Sequence, residues 1–313
     1  MATPGSYGGS GGYGPPAPAA VWWTPPPLPY GGRRGTPPLG IHPMTLVDIL
    51  DGAFALLKAN ARKLFLVVVT FGVPIQLASA YASRGVLNGQ SLLSVFSNPS
   101  VFQNTSQSGS GPSAAVRLFL QLLSWVGLAV AGGAISRIVG ATYLGGDEPV
   151  ESGLRAAAAS SLALIGGAVI VHLVEGVGFV LFIVPGLMAM AASVAVSPAI
   201  VIERLGPLAG VRRSWKLMAP RLWPTIGALL LTSIVASVLG YSLGLLPLAV
   251  LALVGTGHWG WLLLATSNIL ASFVSWTLAG SVATLFYFDA RIRQEGLDLQ
   301  LLGEDLQSGE VRR

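Results

Sequence analysis

The chain lacks cysteine and has few charged residues and only three histidines among its 313 residues. The absence of cysteine excludes disulfide bonds, thiolate metal sites and cysteine nucleophiles. His42, His172 and His258 are far apart in the sequence and show no metal-ligand spacing. Charged residues make up 10% of the chain, whereas soluble domains carry about 25%. Such scarcity is typical of a chain in a bilayer, where a buried charge is costly.

Catalytic signatures are also scarce. Glycine occurs 40 times, yet no glycine-rich phosphate loop with its lysine is present, and no nucleophile elbow stands out. A Ser-His-acid arrangement remains open. We therefore predict no catalytic, cofactor-binding or metal-binding residues, and the sequence favours a non-enzymatic protein.

Six long apolar stretches dominate what is present, and about 20 apolar residues are needed to cross the roughly 30 Å hydrocarbon core of a bilayer. They predict an all-α, polytopic transmembrane helical bundle with about six spans. The predicted spans are residues 64–81, 116–143, 162–183, 187–202, 223–253 and 261–287.

The third and fourth spans come from one apolar run, residues 162–202, which is about twice the length that a single crossing needs. Proline disfavours a helical conformation in the residue before it, and glycine supplies a turn. Pro185 and Gly186 therefore predict the break of a tight helical hairpin.

The basic residues predict the orientation. If the N-terminus is cytoplasmic, the outer side receives only Arg84 and Arg117 of the basic residues that flank the spans. The positive-inside rule then places both termini in the cytoplasm and the protein in the cytoplasmic membrane. The cytoplasmic side receives Lys58, Arg62, Lys63, Arg155, Arg204, Arg212, Arg213, Lys216, Arg221, Arg291 and Arg293.

Amphipathic segments precede some of the spans. Thr45 and Asp48 form a capping-box pattern before a helix whose apolar residues share one face. Such helices are expected to lie in the membrane interface, where their cations contact anionic lipid headgroups. The predicted headgroup contacts are Lys58, Arg62, Lys63, Arg212, Arg213, Lys216 and Arg221.

A weak internal repeat supports this layout. A shift of 158 positions pairs Lys58 with Lys216 and Lys63 with Arg221. A third unit without clear identity begins near Ser152. The pattern predicts three units, each an interfacial helix followed by a helical hairpin, although any two basic interfacial helices could match this well.

Three regions follow from this division: a Pro/Gly-rich cytoplasmic tail at residues 1–42, the six-span domain at residues 43–293, and a charged cytoplasmic tail at residues 294–313. The first tail is predicted to be disordered because it has little apolar area to bury. Its Pro25 to Tyr30 stretch is either a flexible spacer or a polyproline ligand for a cytoplasmic protein. The basic residues sit at helix ends, which favours lipid and not nucleic acid as their partner.

Ionisable residues inside the spans are the candidate polar site. His172 and Glu175 lie three residues apart on one face of the third span. Arg137 is near the cytoplasmic end of the second span and Arg117 near its outer end, which makes Arg117 the better placed partner for Glu175. The group is either a proton-responsive pair in a transport path or a polar contact between helices.

Four segments resemble a family of actinobacterial membrane proteins known as the membrane domain of glycerophosphoryl diester phosphodiesterase. They are residues 45–54, 182–186, 213–216 and 287–298, and the similarity extends over residues 40–302. The resemblance implies a helical membrane module. The acidic and histidine motif of the family's catalytic barrel has no match here, so phosphodiesterase activity is not expected.

Three functions remain open from the sequence. The first is a non-enzymatic membrane scaffold or regulatory module. The second is a transporter or permease subunit with a polar site around His172 and Glu175, which a central cavity holding both residues would favour. The third is a lipid-metabolising membrane enzyme, which would need a polar pocket at the interface.

Overall fold

A computed structural model describes residues 39–84, 112–254 and 260–307. Within these residues the chain is helical, with short connections and no β-strand. The helices are α1 (Leu46–Ala59), α2 (Ala61–Ala82), α3 (Ala114–Tyr143), α4 (Val150–Ala159), α5 (Ser161–Leu181), α6 (Ile183–Ser193), α7 (Val196–Glu203), α8 (Pro207–Met218), α9 (Leu222–Val254), α10 (Gly260–Glu295) and α11 (Leu297–Gln307).

Six helical segments are long and apolar enough to cross a membrane, and the predicted fold class is confirmed. The fourth segment combines α6 and α7, and the fifth combines α8 with most of α9. The six segments are Ala61–Ala82, Ala114–Tyr143, Ser161–Leu181, Ile183–Glu203, Pro207–Pro247 and Gly260–Glu295. The chain is therefore an α-helical membrane protein.

The order of the helices repeats three times. Each repeat has a short helix (α1, α4 or α8) followed by two long segments that pack against each other. Contacts between these helices and their neighbours bring α1, α4, α8 and the last turns of α10 to the same end of the bundle. We call this the basic end. It holds most of the arginines that flank the spans.

Helix α10 lies at the centre of the bundle and packs against α1, α2, α3 and α9. It continues beyond the predicted end of the sixth span through Asp289 and Arg291, which are buried. A charged segment can stay helical and buried when each charge has a partner. Residues 294–313 were predicted as a charged tail. The first part of this region is helical and packed, because Leu297 and Leu301 of α11 are buried in the core.

The hairpin between α5 and α6 turns at Phe182, three residues before the predicted break at Pro185 and Gly186. Phe182 has an extended conformation between the two helices, and Pro185 lies in the first turn of α6. Proline is tolerated there because the first N–H groups of a helix have no intrahelical acceptor.

Glycines bring the two arms of the hairpin into close contact. A Cβ at Gly178 would lie 2.9 Å from the Cα atom of Gly186 and 3.0 Å from its nitrogen. Small residues allow helix backbones to approach in this way. The hairpin therefore depends on the absence of a side chain at Gly178.

The folded core includes residues that the sequence assigns to the N-terminal tail. Residues 1–38, with the Pro25 to Tyr30 stretch, lie outside the described residues. Leu39 and Ile41 are partly buried and pack against the core, so the last residues of the predicted tail belong to the folded domain.

The predicted capping box of α1 is present. The N–H and the hydroxyl of Thr45 donate to Asp48 at 2.8 and 2.7 Å, and the Asp48 N–H donates back to the hydroxyl. The backbone hydrogen bond from Thr45, followed by the side-chain one, lowers the pKa of Asp48 below 3.8. An aspartate with a depressed pKa stabilises the fold above its unfolded-state pKa and loses that contribution as the pH falls through the folded-state value.

Replacing Asp48 by alanine is therefore expected to destabilise the protein at pH 6 more than at pH 3. The relevant window lies below 3.8, the ordinary pKa of this carboxyl. Denaturant unfolding in detergent at both pH values measures the difference. An equal loss at both values would show that the charge of Asp48 has no part in the cap.

Candidate functional site

A half-open cavity of about 390 Å³ lies between helices of the bundle, lined by residues of α3, α5, α6, α7, α9 and α10. We call it the central cavity. Its wall is mainly apolar, with Leu128, Val171 and Met190 among the lining residues. The polar and ionisable lining residues are Ser136, His172, Glu175, Ser193, Ser197, Thr232 and Ser233.

His172 and Glu175 form a pair in this wall. The Nδ1 atom of His172 lies 3.0 Å from Oε2 of Glu175, a hydrogen-bonding distance. The ring of Trp125 lies against the imidazole, with 4.4 Å between the ring centroids. Counted from Ser161 at 1.5 Å per residue, the two residues lie roughly 16 and 21 Å along α5. If α5 enters a bilayer core about 30 Å thick at Ser161, His172 lies close to the middle of that core and Glu175 somewhat beyond it.

Two further hydroxyl groups in the wall of the cavity are unpartnered. Among the described residues, the buried hydroxyls of Ser136 and Thr232 have no hydrogen-bond partner. An unpaired buried hydroxyl has an energetic cost that a ligand or water in the cavity would remove. With the His172–Glu175 pair, these groups give an apolar cavity several sites for hydrogen bonding.

The two arginines predicted to share this polar site lie elsewhere. Arg137 donates to Glu148 at 3.1 Å, near the basic end. Arg117 is exposed on the first turns of α3, and it does not line the cavity. The structure thus brings together His172 and Glu175 and separates both arginines from them.

A closed circuit of charged and polar side chains connects three helices at the basic end. Arg213 of α8 donates to Glu203 of α7 at 2.9 and 3.0 Å and to Glu295 of α10 at 2.5 and 2.9 Å. Arg291 donates to Glu295 at 3.0 Å and to the hydroxyl of Tyr287 at 3.1 Å. Tyr287 completes the circuit by donating to Glu203 at 2.8 Å.

A second cluster surrounds Asp289, whose side chain is buried. It accepts hydrogen bonds from the Met44 N–H at 2.7 Å, from Arg221 at 2.9 Å and from Arg293 at 2.9 and 3.0 Å. Arg293 also donates to the Met44 carbonyl at 2.7 Å. The cluster fastens the start of α1 and the turn before α9 to the central helix.

These contacts revise the predicted headgroup contacts. Arg213 is only 13% exposed and has protein partners, so it is not a surface cation. Arg221 and Lys63 are also paired, with Asp289 and Asp147 respectively. In the sequence, a basic residue next to an apolar span resembles a headgroup contact. In the folded protein it can instead form an ion pair with a carboxylate from another helix. The exposed members of the predicted set are Lys58, Arg62, Arg212 and Lys216.

Part of this network had a signal in the sequence. Asp289 with Arg293, and Arg291 with Glu295, are four residues apart, which places opposite charges on one helix face. The contacts to Glu203, Arg213 and Arg221 had no such signal, because their partners are 10 to 84 residues away in the chain.

Metal chemistry has no obvious site in the described part of the chain, where no three His, Asp or Glu side chains are grouped to hold an ion. The resemblance to the phosphodiesterase membrane domain remains a prediction. Comparison of the chain with protein-family models, curated proteins and solved structures finds no match.

Proposed function

We propose that this membrane protein binds a small, mainly apolar molecule with a hydrogen-bonding group in its central cavity, as a transporter or permease subunit would. The observation that carries the proposal is the His172–Glu175 pair in the cavity wall, close to the middle of the predicted bilayer core. Ionisable residues at that depth are costly and typically serve a substrate or proton path.

The chemistry of the wall restricts the ligand. Leu128, Val171 and Met190 favour an apolar body, and the volume suits a molecule of modest size. His172 and Glu175 together offer both a hydrogen-bond donor and an acceptor. A fully charged, strongly hydrated solute fits this lining poorly because few groups could replace its water.

A cavity-filling substitution tests the proposal. Ala168 lines the central cavity, while its neighbour Val169 is exposed on the outside of α5. We expect Ala168→Trp to abolish binding of aminoanthracene, a fluorescent apolar amine, to the purified protein in detergent. Val169→Trp is the matched control and is expected to bind the amine like the wild type. Equal binding by the two variants would contradict the proposal.

The polar pair should contribute a measurable share of the affinity. Glu175→Gln keeps the shape of the side chain but replaces one carboxyl oxygen by an amide NH2 group, and we expect aminoanthracene to bind roughly tenfold more weakly, as loss of one hydrogen bond implies. Fluorescence titration gives the dissociation constant. Unchanged affinity would place the amine away from Glu175.

The orientation belongs to the same proposal. The basic end would face the cytoplasm of a cell with this protein in its cytoplasmic membrane, because that end carries most of the cations. The exposed residues Lys58, Arg62 and Lys216 would contact anionic headgroups there. Labelling of a cysteine introduced at Lys216, in intact cells and in opened cells, tests this placement.

A scaffold or regulatory module is the second candidate. The observation that favours it is the pair of charged clusters, which fasten α1, α7, α8 and α10 into a platform at the basic end. A cytoplasmic protein that binds the Pro25 to Tyr30 stretch could use this platform. Full biological activity of the Ala168→Trp variant would support the scaffold over the transporter.

A further inference from the structure

A second cavity, of about 590 Å³, lies at the basic end between α3, α4, α7 and the start of α8. We call it the arginine cavity. Three arginines from three different helical regions line this one space. Its polar lining residues are Arg137, Ser152, Arg155, Ser160 and Arg204.

The charges in the arginine cavity do not cancel. Glu148 binds Arg137 at 3.1 Å and accepts a hydrogen bond from Ser152 at 2.5 Å, so one carboxylate is already engaged. Arg155 and Arg204 make no hydrogen bond or ion pair with any described residue. The cavity thus has a positive excess of about two charges, counted as three arginines and one glutamate.

Arg204 occupies its position in a strained backbone conformation. Its φ is 54°, and among the described residues it is the only non-glycine with a positive φ. The Leu205 N–H donates to the Ile200 carbonyl at 3.0 Å, the closing bond of a Schellman-type helix end at which glycine is the usual residue. Any residue with a Cβ is strained at this position, where glycine would not be, and such strain is often found at functional sites.

Helix ends contribute little to the sign of the potential here. Ser160 and Gly206 precede the first turns of α5 and α8, while α4 and α7 end at the same cavity. The positive and negative ends of these helix dipoles offset each other. The arginines therefore determine which ions the cavity attracts.

We propose that the arginine cavity binds one phosphate group, carried by a lipid headgroup or by a small soluble phosphate. A phosphate offers several acceptor oxygens and up to two negative charges, which match the guanidinium groups of Arg155 and Arg204. A carboxylate would compensate only one of these charges. Ser160 supplies a hydroxyl group for a remaining oxygen, whereas the hydroxyl of Ser152 already donates to Glu148. This inference does not rest on the function proposed for the central cavity.

The test uses the full chain purified in a neutral detergent. Native mass spectrometry and thermal unfolding are followed with inorganic phosphate, with dihexanoyl phosphatidic acid and with dihexanoyl phosphatidylcholine. We expect the phosphatidic acid to bind and raise the unfolding temperature. Binding of inorganic phosphate as well would identify the phosphate alone as sufficient, whereas binding of the lipid alone would identify a headgroup site. Equal binding of phosphatidylcholine and phosphatidic acid, or no binding of any phosphate, would overturn the proposal.

Variants locate the site. Arg155→Gln combined with Arg204→Gln is expected to weaken phosphatidic acid binding at least tenfold. Arg212→Gln is the matched control, because Arg212 is exposed on α8 and does not line the cavity. Aminoanthracene binding to the central cavity should be unchanged in both variants. An equal loss of affinity in the control and the double variant would show that the arginines act only as surface charge.

Arg204→Gly separates binding from folding. Glycine adopts a positive φ without steric cost, so the unliganded variant is expected to unfold at the same or a higher temperature than the wild type. Its affinity for phosphatidic acid should nevertheless fall several-fold. A variant that binds like the wild type would show that Arg204 contributes nothing to the site.

Discussion

Replacement of Arg213 by alanine is expected to lower the free energy of unfolding by about 3 kcal/mol or more, the usual cost of removing one partner of a buried ion pair. Arg213 is 13% exposed and lies between Glu203 and Glu295, which are 7% and 13% exposed. Without it, Arg291 would still pair with Glu295, but Glu203 would keep only the hydroxyl of Tyr287 in this circuit and would lack a cationic partner there. The effect is large because a buried negative charge loses its positive partner, which costs more than the loss of any one hydrogen bond.

The neighbouring residue provides the control for this experiment. Arg212 is exposed on the same helix, and Arg212→Ala should change the free energy of unfolding by only about 0.5 kcal/mol or less, as surface substitutions usually do. Arg213→Lys should recover only part of the stability, because an ammonium cannot bind two carboxylates through paired N–H groups. Equal unfolding midpoints for Arg212→Ala and Arg213→Ala in detergent would contradict the buried circuit.

Replacement of Gly178 by leucine is expected to destabilise the α5–α6 hairpin by roughly 3 kcal/mol, at the upper end of the usual range for overpacking. The new Cβ would lie 2.9 Å from the Cα atom of Gly186. A flexible side chain could move away from such a contact, but the backbone of a neighbouring helix cannot do so without separating the two helices. The expected result is a lower unfolding temperature and greater protease sensitivity near Phe182.

Gly176 is a matched control two residues earlier on the same helix. A Cβ there would meet nothing within 4 Å, so Gly176→Leu should leave the hairpin intact. The two variants carry the same side chain and the same change in helix propensity. A similar loss of stability in both would mean that the close approach at Gly178 does not hold the hairpin together.

The membrane-spanning helices could be predicted from the sequence because a bilayer imposes a simple requirement on each segment by itself. A stretch of about 20 apolar residues satisfies that requirement whatever its neighbours are. The same local reasoning anticipated the Thr45–Asp48 cap, whose two residues are three positions apart.

The positions at which the helices end depend on contacts with distant parts of the chain and not on local hydropathy. Helix α10 continues through Asp289 to Glu295 because partners from α1, α8 and the turn before α9 compensate its charges. Those partners are 68 to 245 residues away, so hydropathy along the chain could not reveal them. For the same reason, Arg213 resembled a headgroup contact in sequence and is a buried ion-pair residue in the structure.

Part of the candidate site could be predicted from the sequence. His172 and Glu175 are ionisable residues on one face of an apolar helix, so their contact could be predicted from spacing alone. The cavity beside them could not be predicted from spacing, because its walls come from six helices and its volume depends on how their small residues pack. The arginine cavity was hidden for the same reason: Arg137, Arg155 and Arg204 are far apart in the chain.

The central claim is that the middle of the bundle contains an accessible cavity, and the lack of native cysteine makes it directly testable by labelling. Ser197 lines the central cavity, whereas Ser281 is fully buried and is not among the lining residues. With cysteine introduced at each position in turn, a small water-soluble methanethiosulfonate reagent should modify Ser197→Cys readily and leave Ser281→Cys unmodified. If Ser197→Cys is as unreactive as Ser281→Cys in the folded protein, the bundle has a dry core and the proposed ligand site does not exist.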